Sequence, residues 1–223
     1  MAKFKSLEVY NAIVAQGLVP VFYNGDFEIA KNIIKAVVRG GSGLFEFTNR
    51  GDFAYDIFAK LVKAFEKEEP YLILGAGSII DPYTAALYIN NGANFIVGPV
   101  LNPEVAKLCN RRRIPYCPGC GTPSEISNAE ELGCEIVKVF PGDALGGPDF
   151  VKSVLGPMPW SKIMPTGGVD ITEESIKGWF EAGVVAVGIG SSLITKELIA
   201  KKDWEGITKN VEKALALIKK YKK

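Results

Sequence analysis

Val184-Val185-Ala186-Val187-Gly188-Ile189-Gly190-Ser191 opens as a β-branched apolar run and closes on two glycines and a serine. Valine and isoleucine suit the pleated, buried surface of a strand. Glycine at the end of such a run lets backbone N–H groups approach a ligand closely. A strand that ends this way matches the phosphate-binding loops that follow the seventh and eighth strands of a closed α/β barrel. Whether this is an eighth strand depends on what precedes it.

Seven similar runs do, at residues 19–23, 43–48, 71–75, 93–98, 115–118, 135–140 and 162–166, with residues 184–188 as the last. Most end in Gly, Pro, Asn or Thr, the residues that terminate strands. Between them the apolar spacing changes to three and four, which predicts helices over 27–39, 53–67, 82–91, 103–111, 123–132, 149–155 and 173–181. A final helix over 204–221 repeats Trp204, Ile207, Val211, Leu215 and Ile218 along one buried face. No linker or low-complexity segment interrupts the alternation. The pattern predicts an α/β fold, a (β/α)₈ TIM barrel occupying residues 1–223 as one domain, with an extra N-terminal helix over 6–16 covering the bottom. A doubly wound open sheet shares the alternation, and the glycine-rich ending of the last strand favours the barrel.

Composition narrows the chemistry. The 223 residues contain no histidine, the usual proton shuttle and commonest metal ligand, so Ser-His-Asp hydrolysis and His-ligated zinc are excluded. Acid and base must be carboxylate, lysine, tyrosine or cysteine. Lysine plus arginine, 26, nearly cancels aspartate plus glutamate, 25, which gives no global field for nucleic acid or an anionic membrane and favours a small-molecule partner. The N-terminus lacks the apolar core of a signal peptide, and no apolar run approaches the roughly 18 residues of a membrane span. The expected location is cytoplasmic. Cys117-Pro118-Gly119-Cys120 has C-x-x-C spacing, but no second pair or histidine completes a metal site, so these cysteines read as small buried side chains.

In the sixth run, Cys134-Glu135-Ile136-Val137-Lys138-Val139-Phe140-Pro141, a lysine interrupts a buried apolar strand. An ammonium removed from water costs several kcal/mol or sheds its proton, and a neutral amine is the nucleophile of Schiff-base chemistry. An edge-strand lysine snorkelling to solvent is the alternative reading of the run alone. In the second run, alternation puts Leu44, Glu46 and Thr48 on one face and Phe45 and Phe47 on the other. The phenylalanines suit the layer between sheet and helices, so Glu46 faces the barrel axis. Lys138 does the same if Ile136 and Phe140 share its face. Strands two and six oppose each other in an eight-stranded ring, so the amine and the carboxyl can reach one small molecule. A structural ion pair filling the barrel is the other use of such a pairing.

Barrel active sites sit at the carboxyl ends of the strands. Arg50, at the rim after strand two, offers a planar fork for a carboxylate. Thr166-Gly167-Gly168 and Gly188-Ile189-Gly190-Ser191-Ser192 are the phosphate candidates, where a following helical turn would add its dipole. Arg111-Arg112-Arg113 falls between a helix and the next strand, hence on the bottom face. Gly75-Ala76-Gly77-Ser78 lacks the third glycine of a dinucleotide fingerprint and reads as a turn presenting Ser78.

At these residues the chain resembles the class I aldolases of the 2-keto-3-deoxy-6-phosphogluconate (KDPG) and 4-hydroxy-2-oxoglutarate (KHG) family, small trimeric (β/α)₈ barrels. The resemblance runs through Val19-Pro20-Val21, Glu46, Arg50, Gly75-Ala76-Gly77, Pro99, Pro118-Gly119, Lys138, Phe140-Pro141, Pro165-Thr166-Gly167-Gly168 and Gly190-Ser191. It implies that Lys138 forms a Schiff base with the keto carbon and that Glu46 is general acid and base. It further implies that Arg50 holds the carboxylate of the pyruvate half and that Ser78, Pro99 and Thr166 line the site. Gly167, Gly168, Gly190 and Ser191 would receive phosphate. The family reaction releases pyruvate with glyceraldehyde 3-phosphate or with glyoxylate, and needs no metal and no organic cofactor. The implied partner is a keto acid and the implied assembly a homotrimer. The chain departs from the family pattern at Asn49, Gly51-Asp52, Ser78 and Val100, differences expected to act mainly on the distal half of the site. Two other functions fit the residues: a phosphate-binding isomerase or epimerase with Glu46 as base, and a non-catalytic sugar-acid binding barrel.

Overall fold

Side-chain caps set where most helices begin. Asp26, Asp81, Asn102, Thr122, Thr172, Thr195 and Asp203 each accept a hydrogen bond from a first-turn backbone N–H. Pro82, Pro103 and Pro123 occupy first helical positions, where no N–H is needed. The computed structural model describes residues 2–222. In chain order its elements are α1 (Ser6–Gln16), β1 (Leu18–Phe22), α2 (Phe27–Arg39), β2 (Leu44–Thr48), α3 (Ala54–Glu68), β3 (Ile73–Gly77), α4 (Pro82–Asn90), β4 (Ile96–Val97), α5 (Pro103–Arg112), β5 (Tyr116–Cys117), β6 (Gly119–Cys120), α6 (Pro123–Glu131), β7 (Val137–Val139), α7 (Gly147–Leu155), β8 (Ile163–Pro165), α8 (Glu173–Glu181), β9 (Val187–Ile189), α9 (Lys196–Ala200) and α10 (Trp204–Tyr221).

Every strand pairing is parallel. One sheet runs β5-β4-β3-β2-β1-β9 and the other β6-β7-β8. They join at both margins. β5 and β6 are halves of one strand position, divided by Pro118, which has no N–H to contribute to a ladder. At the other margin a bridge between Thr166 and Gly188 links the end of β8 to β9, helped by the Val185 N–H donating to the Ile163 carbonyl at 3.0 Å. The nine strands therefore close into a ring of eight positions, the predicted TIM barrel.

Two buried layers follow from the two-residue period. Inside the ring, Val19, Leu44, Ile73, Phe95, Val97, Cys117, Ile136, Met164 and Ala186 form a floor that Val9 and Ile13 of α1 plug from below. Outside it, Phe45, Phe47, Val137 and Val139 pack with the apolar faces of the surrounding helices. The extra N-terminal helix is where the sequence puts it.

The third strand differs from the sequence reading. It starts at Ile73, because Tyr71 points into solvent, and Gly75-Ala76-Gly77 form strand instead of a turn. The glycines are there for room: a Cβ on Gly75 would overlap the Phe95 ring, and one on Gly77 would overlap the Glu46 carboxyl. The five-residue α9 and a 3₁₀ turn at Asp143–Leu145 are too short to have left a periodic pattern.

Candidate active site

Lys138 is the middle residue of β7. Its neighbours Val137 and Val139 lie in the outer layer and Ile136 in the floor, so Lys138 points into the ring, where it is only 5% exposed. Glu46 has the same setting on β2, with Phe45 and Phe47 outside and Leu44 in the floor, and is 1% exposed. Each side chain stands one inward position above a floor residue. β2 and β7 hold the second and sixth places of the ring, so the two groups face one another across the axis.

They do not form a structural ion pair. Neither carboxyl oxygen of Glu46 has a hydrogen-bond partner among the described residues. Burial pushes the Glu46 carboxyl above the ordinary carboxylate range, while the positive charges of Lys138 and Arg50 pull it back without cancelling the rise. The Lys138 Nζ lies 4.8 Å from the centroid of the Phe140 ring, a face-on contact that fixes where the nitrogen sits.

Arg50 stands exposed at the rim, beyond the end of β2. The turn that carries it is tied down: the Asn49 N–H donates to the Gly77 carbonyl at 2.8 Å, and the Arg50 N–H to the Thr48 carbonyl at 3.0 Å. The Asn49 side-chain oxygen accepts from the buried Tyr88 hydroxyl at 3.0 Å. Tyr88 itself packs edge-on against Phe58, ring centroids 5.1 Å apart, so α3 and α4 together brace the arginine turn.

Ser78 follows β3 in the left-handed region, φ 60°, an uncommon state for a residue with a side chain and one that recurs at functional sites. Pro99 is half-buried, and its backbone packs directly on Gly119. The Thr166 Oγ1 is buried beside Gly188 without a partner among the described residues. Because β8 and β9 are bridged at Thr166 and Gly188, the two glycine segments lie side by side, tied further by the Ser192 hydroxyl donating to the Val169 carbonyl at 3.1 Å. Gly167, Gly168 and Ser191 are exposed there and Gly190 is half-buried.

The expected helix dipole is the part that does not appear. α8 begins only at Glu173, its N-terminus is occupied by its own Thr172 cap, and Glu173 and Glu174 add negative charge to its first turn. After β9, the N–H groups of Leu193 and Ile194 both turn back to the Gly190 carbonyl, and α9 starts later still. Any anion at these loops therefore meets backbone donors and Ser191 without a helix pointed at it.

Two residues at the site were given no role from the sequence. Phe140, under the lysine nitrogen, is one. Thr48 is the other: it is 2% exposed, faces inward above Glu46, and its Oγ1 has no partner among the described residues. The alternation that oriented Glu46 already put Thr48 on the same face, and a threonine at a strand end gives no stronger signal.

A cavity of about 590 Å³ lies at the opposite end, between α1 and the loops bearing Arg113, Glu135 and Lys162. It is cut off from Lys138 and Glu46 by the apolar floor, and Arg113 in its wall agrees with a bottom-face position for the arginine run. All four cysteines are free and buried, and burial pushes the thiols of Cys109, Cys120 and Cys134 up to about 12. Among the described residues no group of three His, Cys, Asp or Glu side chains is placed to hold a metal ion, and no helix is long and apolar enough to cross a membrane.

Residues 9–210 match the model of a family described as KDPG and KHG aldolase. A 2-dehydro-3-deoxy-phosphogluconate aldolase of Haemophilus influenzae is 31% identical over 203 residues, 91% of this chain and 92% of that protein. The KHG/KDPG aldolase of Escherichia coli K12 is 31% identical over 199 residues, 89% of this chain and 90% of that protein. Among solved structures, a KDPG aldolase from Legionella pneumophila with pyruvate captured as a covalent carbinolamine superposes with TM-score 0.82 at 27% identity, covering 90% of this chain and 95% of that one. A Zymomonas mobilis ZM4 2-keto-3-deoxy-6-phosphogluconate aldolase, solved with 3-phosphoglycerate, gives TM-score 0.83 at 25% identity, covering 94% and 96%.

Proposed function

The chain belongs to the KDPG and KHG aldolase family, a class I aldolase and carbon–carbon lyase, and from that membership we propose that Lys138 is its Schiff-base nucleophile and Glu46 its proton carrier. One observation carries this reading: two ionisable side chains are buried in one barrel interior, facing each other, with the carboxyl unpaired. A keto acid between them gives both groups a task that an ion pair would deny them.

The Lys138 nitrogen adds to the C2 carbonyl, and loss of water from the carbinolamine leaves an iminium. That cation is the electron sink for the C3–C4 bond. Glu46 takes the proton of the C4 hydroxyl as the bond breaks, the aldehyde departs, and the same carboxyl returns a proton to C3 of the enamine. Hydrolysis then frees pyruvate and Lys138. A carboxyl whose proton affinity is raised by burial suits both directions of transfer near neutral pH. Arg50 takes the substrate carboxylate, with Ser78, Pro99 and Thr166 lining the pyruvyl half. Gly167, Gly168, Gly190 and Ser191 receive the distal group, a phosphate in a 2-keto-3-deoxy-6-phospho sugar acid or the second carboxylate of 4-hydroxy-2-oxoglutarate.

The same reading makes the chain a single-domain cytoplasmic enzyme and a homotrimer. Exposed Tyr83 and Leu87, one turn apart on α4, with Ile80 and Val100 on neighbouring loops, supply apolar surface for subunit contact. Light scattering on the purified protein tests the assembly.

Borohydride reduction in the presence of pyruvate tests the chemistry. A pyruvate-derived adduct on the peptide containing Lys138 is expected, and an adduct on another lysine, or none, overturns the assignment.

A further inference from the structure

Thr48 faces the barrel interior and has no task in the chemistry above. Its hydroxyl is buried, 2% of the residue being exposed, and no group among the described residues hydrogen-bonds it. A buried hydroxyl left unpaired is costly, and valine would fill the same space without that cost. On the strand face that carries Glu46, a hydroxyl in this state is placed to meet a partner that arrives with a ligand.

Its position says which ligand atom. Glu46 and Thr48 are two residues apart on one strand face, so their side chains emerge roughly 7 Å apart along β2. An oxygen placed between them is within hydrogen-bond reach of both. On the β3 side the residue in register with Thr48 is Gly77, which has no side chain of its own, and the Glu46 carboxyl leans over it toward the level of Thr48. The two groups are also complementary in sense. An ionised carboxylate only accepts, whereas a threonine hydroxyl can donate. The atom that satisfies both is a hydroxyl oxygen, giving its proton to Glu46 and accepting the proton of Thr48.

Resting on the assignment of Glu46 as proton carrier, we propose that Thr48 is a further catalytic residue that donates a hydrogen bond to the C4 oxygen of the substrate while Glu46 removes that oxygen's proton. In cleavage the O–H bond breaks toward Glu46 and the C4–O bond becomes a carbonyl. The C3–C4 electron pair moves into the enamine and quenches the iminium charge. Thr48 keeps its own proton throughout, and nothing is oxidised or reduced. Its hydrogen bond strengthens as negative charge builds on the C4 oxygen, and in condensation it polarises the incoming aldehyde carbonyl. The substrate class so defined is a 2-keto acid with a hydroxyl at C4, whatever its distal group.

The test uses the full-length enzyme and the variants Thr48→Val, Thr48→Ala and Thr48→Ser, with 4-hydroxy-2-oxoglutarate cleavage read by pyruvate release and with pyruvate-dependent borohydride trapping. Thr48→Val and Thr48→Ala are expected to lose about tenfold to a hundredfold in kcat. They should trap pyruvate at Lys138 with the parent's half-saturation, since pyruvate has no C4. Thr48→Ser should keep most of the turnover, and Thr48→Val should melt no lower than the parent. Turnover of both truncations within twofold of the parent overturns the proposal, as does loss of trapping along with turnover, or a serine variant as impaired as valine. A parent that traps no pyruvate at Lys138 overturns the lysine assignment and this proposal with it. A trapping parent with an unimpaired valine variant overturns this proposal alone.

Discussion

The lower and upper interiors of the barrel are built from the same strands by opposite rules. Below, Leu44, Ile73, Phe95, Ile136 and Met164 interdigitate over α1 in one apolar cluster. Above, two to four residues further along the same strands, Glu46, Thr48 and Thr166 bury oxygens that no described residue satisfies, the remaining such oxygen being that of Ser161, just before β8. Burying apolar side chains contributes roughly 1.5–3 kcal/mol each, while an unpaired buried oxygen costs about 1–3 kcal/mol. The floor thus supplies stability that the upper layer spends on readiness for a ligand. Stability and chemistry are separated by one step along each strand.

Glu46→Gln breaks the contrast most severely. Turnover is expected to fall about a hundredfold to ten-thousandfold, measured as pyruvate release, because the proposed proton carrier is gone while the shape remains. The stability profile should change as well. The Glu46 carboxyl titrates higher in the fold than in the unfolded chain, because burial outweighs the attraction of Lys138 and Arg50. Between the ordinary carboxylate range and that raised value the native state binds more protons than the unfolded one. Stability therefore falls as pH rises through that window. Denaturant melts across it should show this slope in the parent and its loss in Glu46→Gln.

Ile136→Ala attacks the other layer. Removing a fully buried floor side chain is expected to cost about 2–5 kcal/mol in urea unfolding. If the layers are separate, kcat at a temperature where the variant stays folded should fall far less than in Glu46→Gln. Comparable losses would show that the floor positions the chemistry.

Tyr88→Phe is the gentlest probe. It removes the donor to Asn49 and loosens the turn carrying Arg50, a loss of about 1 kcal/mol. A rise in KM of about fivefold with kcat nearly unchanged is expected, and a purely thermal effect on Tm would deny Asn49 and Tyr88 any part in holding the arginine.

Much of this division is written in the sequence. Alternation around Phe45 and Phe47 was enough to turn Glu46 inward, and the two-residue spacing of Ile136, Lys138 and Phe140 did the same for the lysine. Their meeting across the axis needed only the count of strands between them. What stayed hidden depends on contact between distant segments. Gly75 and Gly77 resemble turn glycines until Phe95 and the Glu46 carboxyl are seen lying against them. The two glycine loops invited a helix dipole because helices follow both, but where each helix starts, and that α8 caps itself, is settled by Thr172 and Thr195. The Asn49 to Tyr88 bond joins residues 39 apart in the chain, beyond any local pattern.

The four sequestered thiols have a practical consequence. With every native cysteine shut away and its proton held tightly, maleimides and other alkylating dyes should find no background target in the folded chain. A single replacement at a solvent-facing rim position such as Asp52→Cys would then carry one fluorophore at a known spot, making arrival and departure of the keto acid directly observable in time.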